Sequence, residues 1–224
     1  MKVLVTGATG YVGGRLVEQL LQKDHEVTVL VRDSDRASGR SWLSAVKVIE
    51  ADLLVEESLE GFLDDIDVAY YLVHSMYSDE SFAAKDRQAA TNFVARAGKL
   101  KHVVYLGGIL PESLSEEVQS EHLRSRAEIG EILRSNCPTT EFRAGPVIGG
   151  GSASFEMVRY LTERLPMMIA PKWILNKVRP ISIRDALAYL LGALDFPKPL
   201  GVVDIGTQPL TFLQMMRQYA EVRS

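Results

Sequence analysis

The chain has 224 residues, a formal net charge of −4 at pH 7 and one cysteine, Cys137. The charge gives no basic field for nucleic acid, and one cysteine excludes a disulfide framework and a cysteine-rich zinc site. No apolar run approaches the roughly 20 residues of a membrane helix, and strand-like sequence from Lys2 leaves no room for a signal peptide. We therefore expect a soluble cytoplasmic monomer or homodimer with a small-molecule substrate and no nucleic-acid, membrane or metal partner.

The first element is an apolar strand that leads through three glycines into an amphipathic helix. Val3–Val5 forms the strand, and the helix is predicted over 11–23. This order is the context of a dinucleotide-binding turn, because a helix N-terminus presents free N–H groups and a positive dipole to a pyrophosphate. The alternative is an ordinary strand–helix turn. The predicted cofactor contacts of the turn are Gly7, Thr9, Gly10, Tyr11, Val12 and Gly13.

The sequence Thr-Gly-Ala-Thr-Gly-Tyr-Val-Gly, with glycines three residues apart, resembles the glycine motif of the extended and atypical short-chain dehydrogenase/reductases. This group includes sugar-nucleotide epimerases, isoflavone-reductase-like enzymes and NmrA-like regulators. The resemblance implies an α/β fold, a doubly wound parallel Rossmann sheet with NAD(P) across its carboxyl edge. We expect the NAD(P)-binding core over 1–145 and a small C-terminal substrate lobe over 146–224. Extended relatives usually run longer, which favours a truncated lobe in this chain.

The end of the second predicted strand, 26–31, bears on the choice between NAD and NADP. NAD-specific folds place an acid about 20 residues after the glycines, where it binds the ribose 2′-hydroxyl. An arginine there pairs instead with a 2′-phosphate. Arg32, helped by Ser34 or Arg36, therefore favours NADP. The alternative is an exposed Arg32 beside an Asp33 that takes the role of the acid one position late.

The next two predicted strands also end near the expected cofactor. After the third, 46–49, the Asp52-Leu53 pair matches an adenine contact of the resembled families. Asp52 alternatively caps the following helix, predicted over 56–63, and the two roles are compatible. The fourth strand, 66–73, ends in Leu72, Val73 and His74, near the crevice where ligands bind in doubly wound folds.

His74 is a candidate for a direct role at the nicotinamide, and the alternative is a structural histidine. A long helix, predicted over 81–100, follows this strand, and its apolar stripe is typical of core packing.

The fifth strand, predicted over 103–106, leads into Gly107 and Gly108, and here the sequence departs from the dehydrogenase pattern. Enzymes of the resembled group place a serine or threonine after this strand and Tyr-x-x-x-Lys on the next helix. No tyrosine of this chain has a lysine four residues later. The next helix, predicted over 116–134, carries His122 and Arg126 at the same spacing, which puts them on one helix face.

Two interpretations of this pair stay open. In the first, His122 replaces the tyrosine in acid–base chemistry. Arg126 then replaces the lysine as a ribose or phosphate anchor and contacts the cofactor. In the second, the catalytic pair is lost and the site only binds nucleotide.

The remaining chain is predicted to form the substrate lobe. After the sixth strand, 139–142, Gly145, Pro146 and Val147 resemble the epimerase segment that closes over the nicotinamide. We expect the nicotinamide between His74, Gly107 and Pro146. The further predicted elements are a helix over 153–164, an irregular apolar segment over 165–175, a strand over 178–181, a helix over 182–195, a strand over 202–205 and a last helix capped by Thr211.

Two functions are consistent with these residues. The first is an NADP-dependent reductase or epimerase-like oxidoreductase on a small carbonyl substrate, in which the cofactor carries the hydride. The second is a non-catalytic NAD(P)-binding redox sensor or assembly partner, like the NmrA-like regulators. The missing serine and Tyr-x-x-x-Lys favour the second, whereas the intact glycine turn, His74 and His122 favour the first.

Overall fold

The computed structural model describes residues 1–74, 82–110, 120–164 and 172–223. The strands are β1 Lys2–Thr6, β2 Glu26–Val31, β3 Lys47–Glu50, β4 Val68–Tyr71, β5 His102–Gly108, β6 Thr139–Ala144, β7 Val147–Ile148, β8 Lys177–Val178, β9 Ile181–Ser182, β10 Gly201–Ile205 and β11 Leu210–Thr211. The helices are α1 Tyr11–Gln22, α2 Phe82–Arg96, α3 Glu121–Asn136, α4 Ala153–Arg164, α5 Ile183–Gly192 and α6 Phe212–Arg223.

Seven strands form one sheet in the order β10-β6-β5-β4-β1-β2-β3. β1 pairs in parallel with both β2 and β4, β2 with β3, and β4 with β5. The chain runs outward from β1 to β3 and then crosses to the other side of β1, where it forms β4. The carboxyl ends of β1 and β4 therefore border a topological switch point, the position at which open α/β sheets bind ligands. The doubly wound α/β fold predicted from the sequence is confirmed.

The central strands are buried along their lengths, as expected of a parallel sheet covered on both faces. A core cluster joins β4 and β5 to α2 and α3, and its aromatic centre is Tyr71, which packs edge-on against Phe93 and Tyr105. The α2 and α3 helices pack against each other. This packing fixes the N-terminal half of α3 beside the end of β5, where two of the predicted site residues lie.

Some predicted elements differ in the structure. The helix predicted over 56–63 is two short 3₁₀ turns, Glu56–Leu59 and Leu63–Asp65, because Gly61 between them has φ +81°, which an α-helix does not accommodate. The strand predicted over 178–181 is divided between β8 and β9, which pair with different partners. Residue 81, residues 116–119 and residues 165–171 of the predicted segments lie outside the described residues.

The chain divides into two compact units. The first contains 1–143 and 189–203, and with them most of the seven-stranded sheet. The second contains 144–188 and 204–223 of the described chain, where α4 packs against α6 around Val158, Met215 and Met216. Among the helices in the described part of the chain, none has the length and apolarity needed to cross a membrane.

Candidate functional site

The glycine turn closes at the N-terminus of α1. Gly10 is the N-cap residue, and its N–H donates to the carbonyl oxygen of Gly7 at 2.9 Å. A Cβ on Gly13 would lie 2.8 Å from the carbonyl carbon of Gly7 and closer still to its oxygen. The turn is this tight only because Gly13 has no side chain. Gly10 itself is exposed, so the backbone at the start of the helix is accessible to a ligand.

The same turn packs against the residues that follow β4. Gly7 has φ +70°, and a Cβ there would lie 2.7 Å from the carbonyl oxygen of Leu72. The hydroxyl of Thr6 accepts a hydrogen bond from the Leu72 N–H at 3.1 Å and donates one to the Tyr70 carbonyl. The structure therefore brings Leu72 and Val73 next to the glycine turn, as the sequence predicts for neighbouring strand ends.

Two arginines attach to the turn. Arg15 donates to the carbonyl oxygen of Tyr11 at 3.0 Å, and its guanidinium carbon lies 4.0 Å from the centroid of the Tyr11 ring. Arg40, in the loop after β2, donates from Nη2 to the carbonyl oxygen of Thr9 at 2.6 Å. Sequence reasoning missed Arg40, because its loop contains three arginines and no periodicity that distinguishes them.

The end of β2 presents Arg32 as an exposed side chain. The carboxylate of Asp33 accepts a hydrogen bond from the Asp35 N–H at 2.9 Å and caps a short 3₁₀ helix. The Ser34 N–H donates to the carboxylate of Glu50 at 3.1 Å. Asp33 and Ser34, which were predicted to lie near the adenosine ribose, thus form hydrogen bonds with other residues of the protein.

Asp52 and Leu53 occupy the turn after β3. The Asp52 carboxylate accepts a hydrogen bond from the Leu54 N–H at 3.0 Å, which is the local capping alternative. Leu53 is buried in the core, and its carbonyl oxygen accepts a hydrogen bond from Asn92 Nδ2 at 2.8 Å. An adenine contact at this pair stays a prediction.

Side chains of neighbouring elements lie close to the two glycines at the end of β5. A Cβ on Gly107 would lie 3.1 Å from Glu141 Oε1, and a Cβ on Gly108 would lie 3.0 Å from Leu123 Cδ2 and 3.4 Å from Arg126 Cδ. Side chains from α3 and β6 therefore lie close to both glycines. In particular, Arg126 lies along the backbone of Gly108.

His74, His122 and Arg126 come together at this strand end. The His74 and His122 rings lie edge to face with centroids 6.1 Å apart, and Phe82 lies 6.3 Å from the His122 centroid. His74 Nε2 and Arg126 Nε are buried and have no hydrogen-bond partner within the described ranges. The carbonyl oxygen of Arg126 is engaged, because it accepts from the Tyr105 hydroxyl at 3.1 Å.

Burial governs the protonation of this group. It lowers the pKa of His74 to about 3, with the positive charge of Arg126 and then His122 acting in the same direction. Burial also lowers the pKa of His122, and Arg126 adds to the shift. His74 is therefore neutral at physiological pH and has no proton to give as an imidazolium, whereas the half-buried His122 is the more accessible proton-transfer group.

A buried carboxylate lies on the other side of Gly107. Glu141 on β6 forms ion pairs with Arg134 and Arg143, and Arg143 Nε lies 2.8 Å from Glu141 Oε1. Sequence reasoning missed this triad, because a glutamate inside a predicted strand gives no signal of its partners.

Gly145, Pro146 and Val147 belong to the second unit. A Cβ on Gly145 would lie 2.8 Å from the carbonyl carbon of Arg179, and the Pro146 carbonyl oxygen accepts a hydrogen bond from Ile181 at 3.1 Å. These contacts give the glycine a packing role within its own unit. Contact of this segment with the nicotinamide stays a prediction.

The parallel sheet, its switch point beside β1 and the glycine turn at α1 define the Rossmann-type fold of the short-chain dehydrogenase/reductases. An enzyme of Bordetella bronchiseptica solved with NAD superposes with a TM-score of 0.81 at 19% identity, over 100% of this chain and 78% of that one. Yeast methylglyoxal/isovaleraldehyde reductase with NADPH superposes with a TM-score of 0.76 at 15% identity, over 94% and 79%.

Within this class, the NmrA-like family model matches residues 1–149, and the chain belongs to the NmrA-like family. The chain is similar to the chloroplastic divinyl chlorophyllide a 8-vinyl-reductase of Cucumis sativus, with 25% identity over 84% of this chain and 48% of the relative. An uncharacterized Saccharomyces cerevisiae protein is 32% identical over 49% of this chain and 38% of its own length. The chain thus spans less than half the length of these curated relatives.

Proposed function

We propose that this chain binds NADP(H) at the glycine turn and acts as a reductase or epimerase-like oxidoreductase on a small carbonyl substrate. The observation that carries the proposal is the position of the turn, with Gly7 against Leu72 and the exposed Gly10 at the N-terminus of α1, beside the switch point of the sheet. Backbone N–H groups and the helix dipole at this position suit a pyrophosphate.

The residues of the turn fit such a cofactor. Gly10 leaves the helix terminus uncovered, and Gly13 allows the tight closure that a side chain would prevent. Thr9, Tyr11 and Val12 would complete the pyrophosphate contact. The bound NAD and NADPH of the solved structures with this fold support a nicotinamide dinucleotide here.

The preference for the phosphorylated cofactor rests on two residues after β2. Arg32 is exposed and free to reach a ribose 2′-phosphate, and its planar fork suits that anion. Asp33, the acid that an NAD-specific site would use, caps the adjacent 3₁₀ turn.

The location of the protein is proposed to be cytoplasmic.

The cofactor would supply the hydride, and the protein supplies orientation and a proton. We assign the proton transfer to His122, because it is half-buried beside the strand end, whereas burial lowers the pKa of His74 to about 3 and keeps that ring neutral. Neutral His74 contributes a polar contact. Arg126 provides a fixed positive charge and cannot serve as an acid.

A second function, nucleotide binding without turnover, is favoured by one specific observation. Leu123 Cδ2 and Arg126 Cδ lie 3.0 and 3.4 Å from the position of a Cβ on Gly108, which leaves little space for a side chain such as the serine of the dehydrogenase pattern. A redox sensor or assembly partner of the NmrA-like kind would need only the cofactor half of the site.

Titration of the purified protein with NADPH and NADH, followed by nicotinamide fluorescence, tests the proposal first. We expect tighter binding of NADPH, and loss of this preference in Arg32→Ala. Hydride consumption with a panel of aldehydes, ketones and quinones then separates the two functions.

Turnover that disappears in His122→Phe, while cofactor affinity is retained, supports the enzyme. Tight binding without turnover favours the sensor. Failure to bind either nucleotide contradicts both functions.

A further inference from the structure

Arg126 differs from the other arginines that surround the end of β5. Arg134 and Arg143 both form ion pairs with the buried Glu141. Arg126 has no ion-pair partner within the described ranges, and its Nε is buried without a hydrogen-bond acceptor. A buried N–H without an acceptor is costly, so a ligand that brought an acceptor to Arg126 Nε would remove that cost.

The position of Arg126 fixes where such a ligand would lie. Its Cδ would be 3.4 Å from a Cβ on Gly108, and its Nη1 would be 3.8 Å from the same point. The side chain therefore extends along the end of β5, on the same face of α3 as His122. His74 adds no second positive charge beside Arg126. Burial, and then the charge of Arg126, lower the pKa of His74 and keep its ring neutral.

Two apolar side chains lie beside the group formed by His74, His122 and Arg126. Phe82 lies against the His122 ring, and Leu123 packs over Gly108. Burial lowers the pKa of Arg126, with Tyr105 and then Asp86 acting in the opposite direction. A desolvated cation beside apolar side chains binds an anion more strongly than an exposed one does.

From this arrangement we infer that the site accepts an organic acid, whose carboxylate pairs with Arg126 while its apolar part lies against Phe82 and Leu123. This inference rests on the proposed function, because it names the substrate class of the same site. The same guanidinium chemistry would also serve a phosphate of the cofactor. The experiment therefore has an arm for each source of the anion.

Benzoate and benzamide are matched probes, equal in shape and different in charge. We expect calorimetric titration in the presence of saturating NADPH to show benzoate binding at least about tenfold more tightly than benzamide, as a charge-assisted pair predicts. Arg126→Gln should remove this preference. Arg124→Gln removes the same charge from an exposed position on α3 and should keep it. Arg126→Lys, which keeps the charge without the planar fork, should keep part of it.

Several outcomes overturn the inference. Equal binding of the two probes to the unmodified protein, or binding of neither, contradicts it. So does a benzoate preference that survives in Arg126→Gln. Loss of NADPH affinity in Arg126→Gln with unchanged benzoate preference assigns the anion to the cofactor instead. Thermal melting of each variant without ligand establishes that it is folded.

Failure of the proposed function gives a different result. In that case neither nucleotide binds, but benzoate selectivity, measured without nucleotide, still depends on Arg126. The two failures are therefore distinguishable.

Discussion

Arg40 Nη2 donates a hydrogen bond to the carbonyl oxygen of Thr9 at 2.6 Å, which ties the loop after β2 to the glycine turn. Arg40 also lies over the start of α1, since its Nη1 is 3.6 Å from the point that a Cβ on Gly14 would occupy. Arg32 and Arg40 thus have different positions relative to the glycine turn. Arg32 is exposed at the strand end, whereas Arg40 holds the turn.

Removing Arg40 should weaken NADPH and NADH binding equally. We expect a loss of about three- to tenfold for each nucleotide in Arg40→Ala, because an exposed hydrogen bond from a charged donor contributes about 1 kcal/mol. Fluorescence titration with both nucleotides measures it. Lys23→Ala, an exposed cation at the other end of α1, is the control and should change neither affinity. A loss confined to NADPH would show instead that Arg40 reads the 2′-phosphate.

Gly13→Ala should disrupt the turn. The added methyl group would lie 2.8 Å from the Gly7 carbonyl carbon and 3.0 Å from Ala8 Cα, and backbone atoms cannot yield as a flexible side chain does. We expect the free energy of unfolding to fall by about 1–3 kcal/mol, as for other overpacked sites. Urea denaturation measures this change.

Nucleotide binding should be lost in Gly13→Ala in the same preparation. Gly98→Ala is the matched control, because a Cβ there meets nothing within 4 Å. Gly98→Ala should keep both stability and binding. A folded Gly13→Ala protein with unchanged affinity would contradict the role assigned to the turn.

Local patterns predicted the parts of the fold that depend on near neighbours in the chain. The α4 helix has the predicted bounds, 153–164, and Thr211 caps α6 as predicted, because its hydroxyl accepts from the Gln214 N–H at 3.1 Å. The helix predicted over 56–63 was wrong because one glycine with positive φ interrupts it. Periodicity gave no warning of that conformation.

The candidate site was predictable where it follows the ends of strands or depends on spacing within one helix. The spacing of His122 and Arg126 predicted that they share a helix face, and the order of the strands predicted that His74 lies near the cofactor half. The contact of Arg126 with Gly108 joins α3 to β5, and the ion pairs of Glu141 join β6 to α3. Such contacts depend on how the elements pack, which spacing along the chain does not encode.

Restoring a side chain at the end of β5 should displace α3 side chains. In Gly108→Ala, the new Cβ would lie 3.0 Å from Leu123 Cδ2, so Leu123 must move by a few tenths of an ångström. We expect a loss of about 1 kcal/mol in the free energy of unfolding, measured by urea denaturation.

A double-mutant cycle isolates this contact. Because Leu123→Ala removes the opposing methyl group, Gly108→Ala should cost less in that background than in the unmodified chain. Additive effects of the two substitutions would contradict the contact between Gly108 and Leu123.

Stability should fall on mild acidification, because burial lowers the pKa of all four histidines of the chain, His25, His74, His102 and His122. The folded pKa of His74 is about 3, below its ordinary value of 6.5. Between these two values the unfolded chain binds a proton that the folded chain does not. The contribution of neutral His74 is therefore complete above about pH 6.5 and is lost as the pH falls toward 3.

Between pH 6 and pH 4 the unfolded chain binds more protons than the folded chain, and His74→Gln should reduce this excess by one proton. We expect the slope of unfolding free energy against pH to decrease by about 1.4 kcal/mol per pH unit between pH 6 and pH 4, measured by urea denaturation at closely spaced pH values. NMR titration of the unmodified protein provides the independent check, because the His74 ring should not titrate above pH 5. A slope that is the same in both proteins, or a His74 ring that titrates near 6.5, would show that His74 is charged and solvated in the folded state.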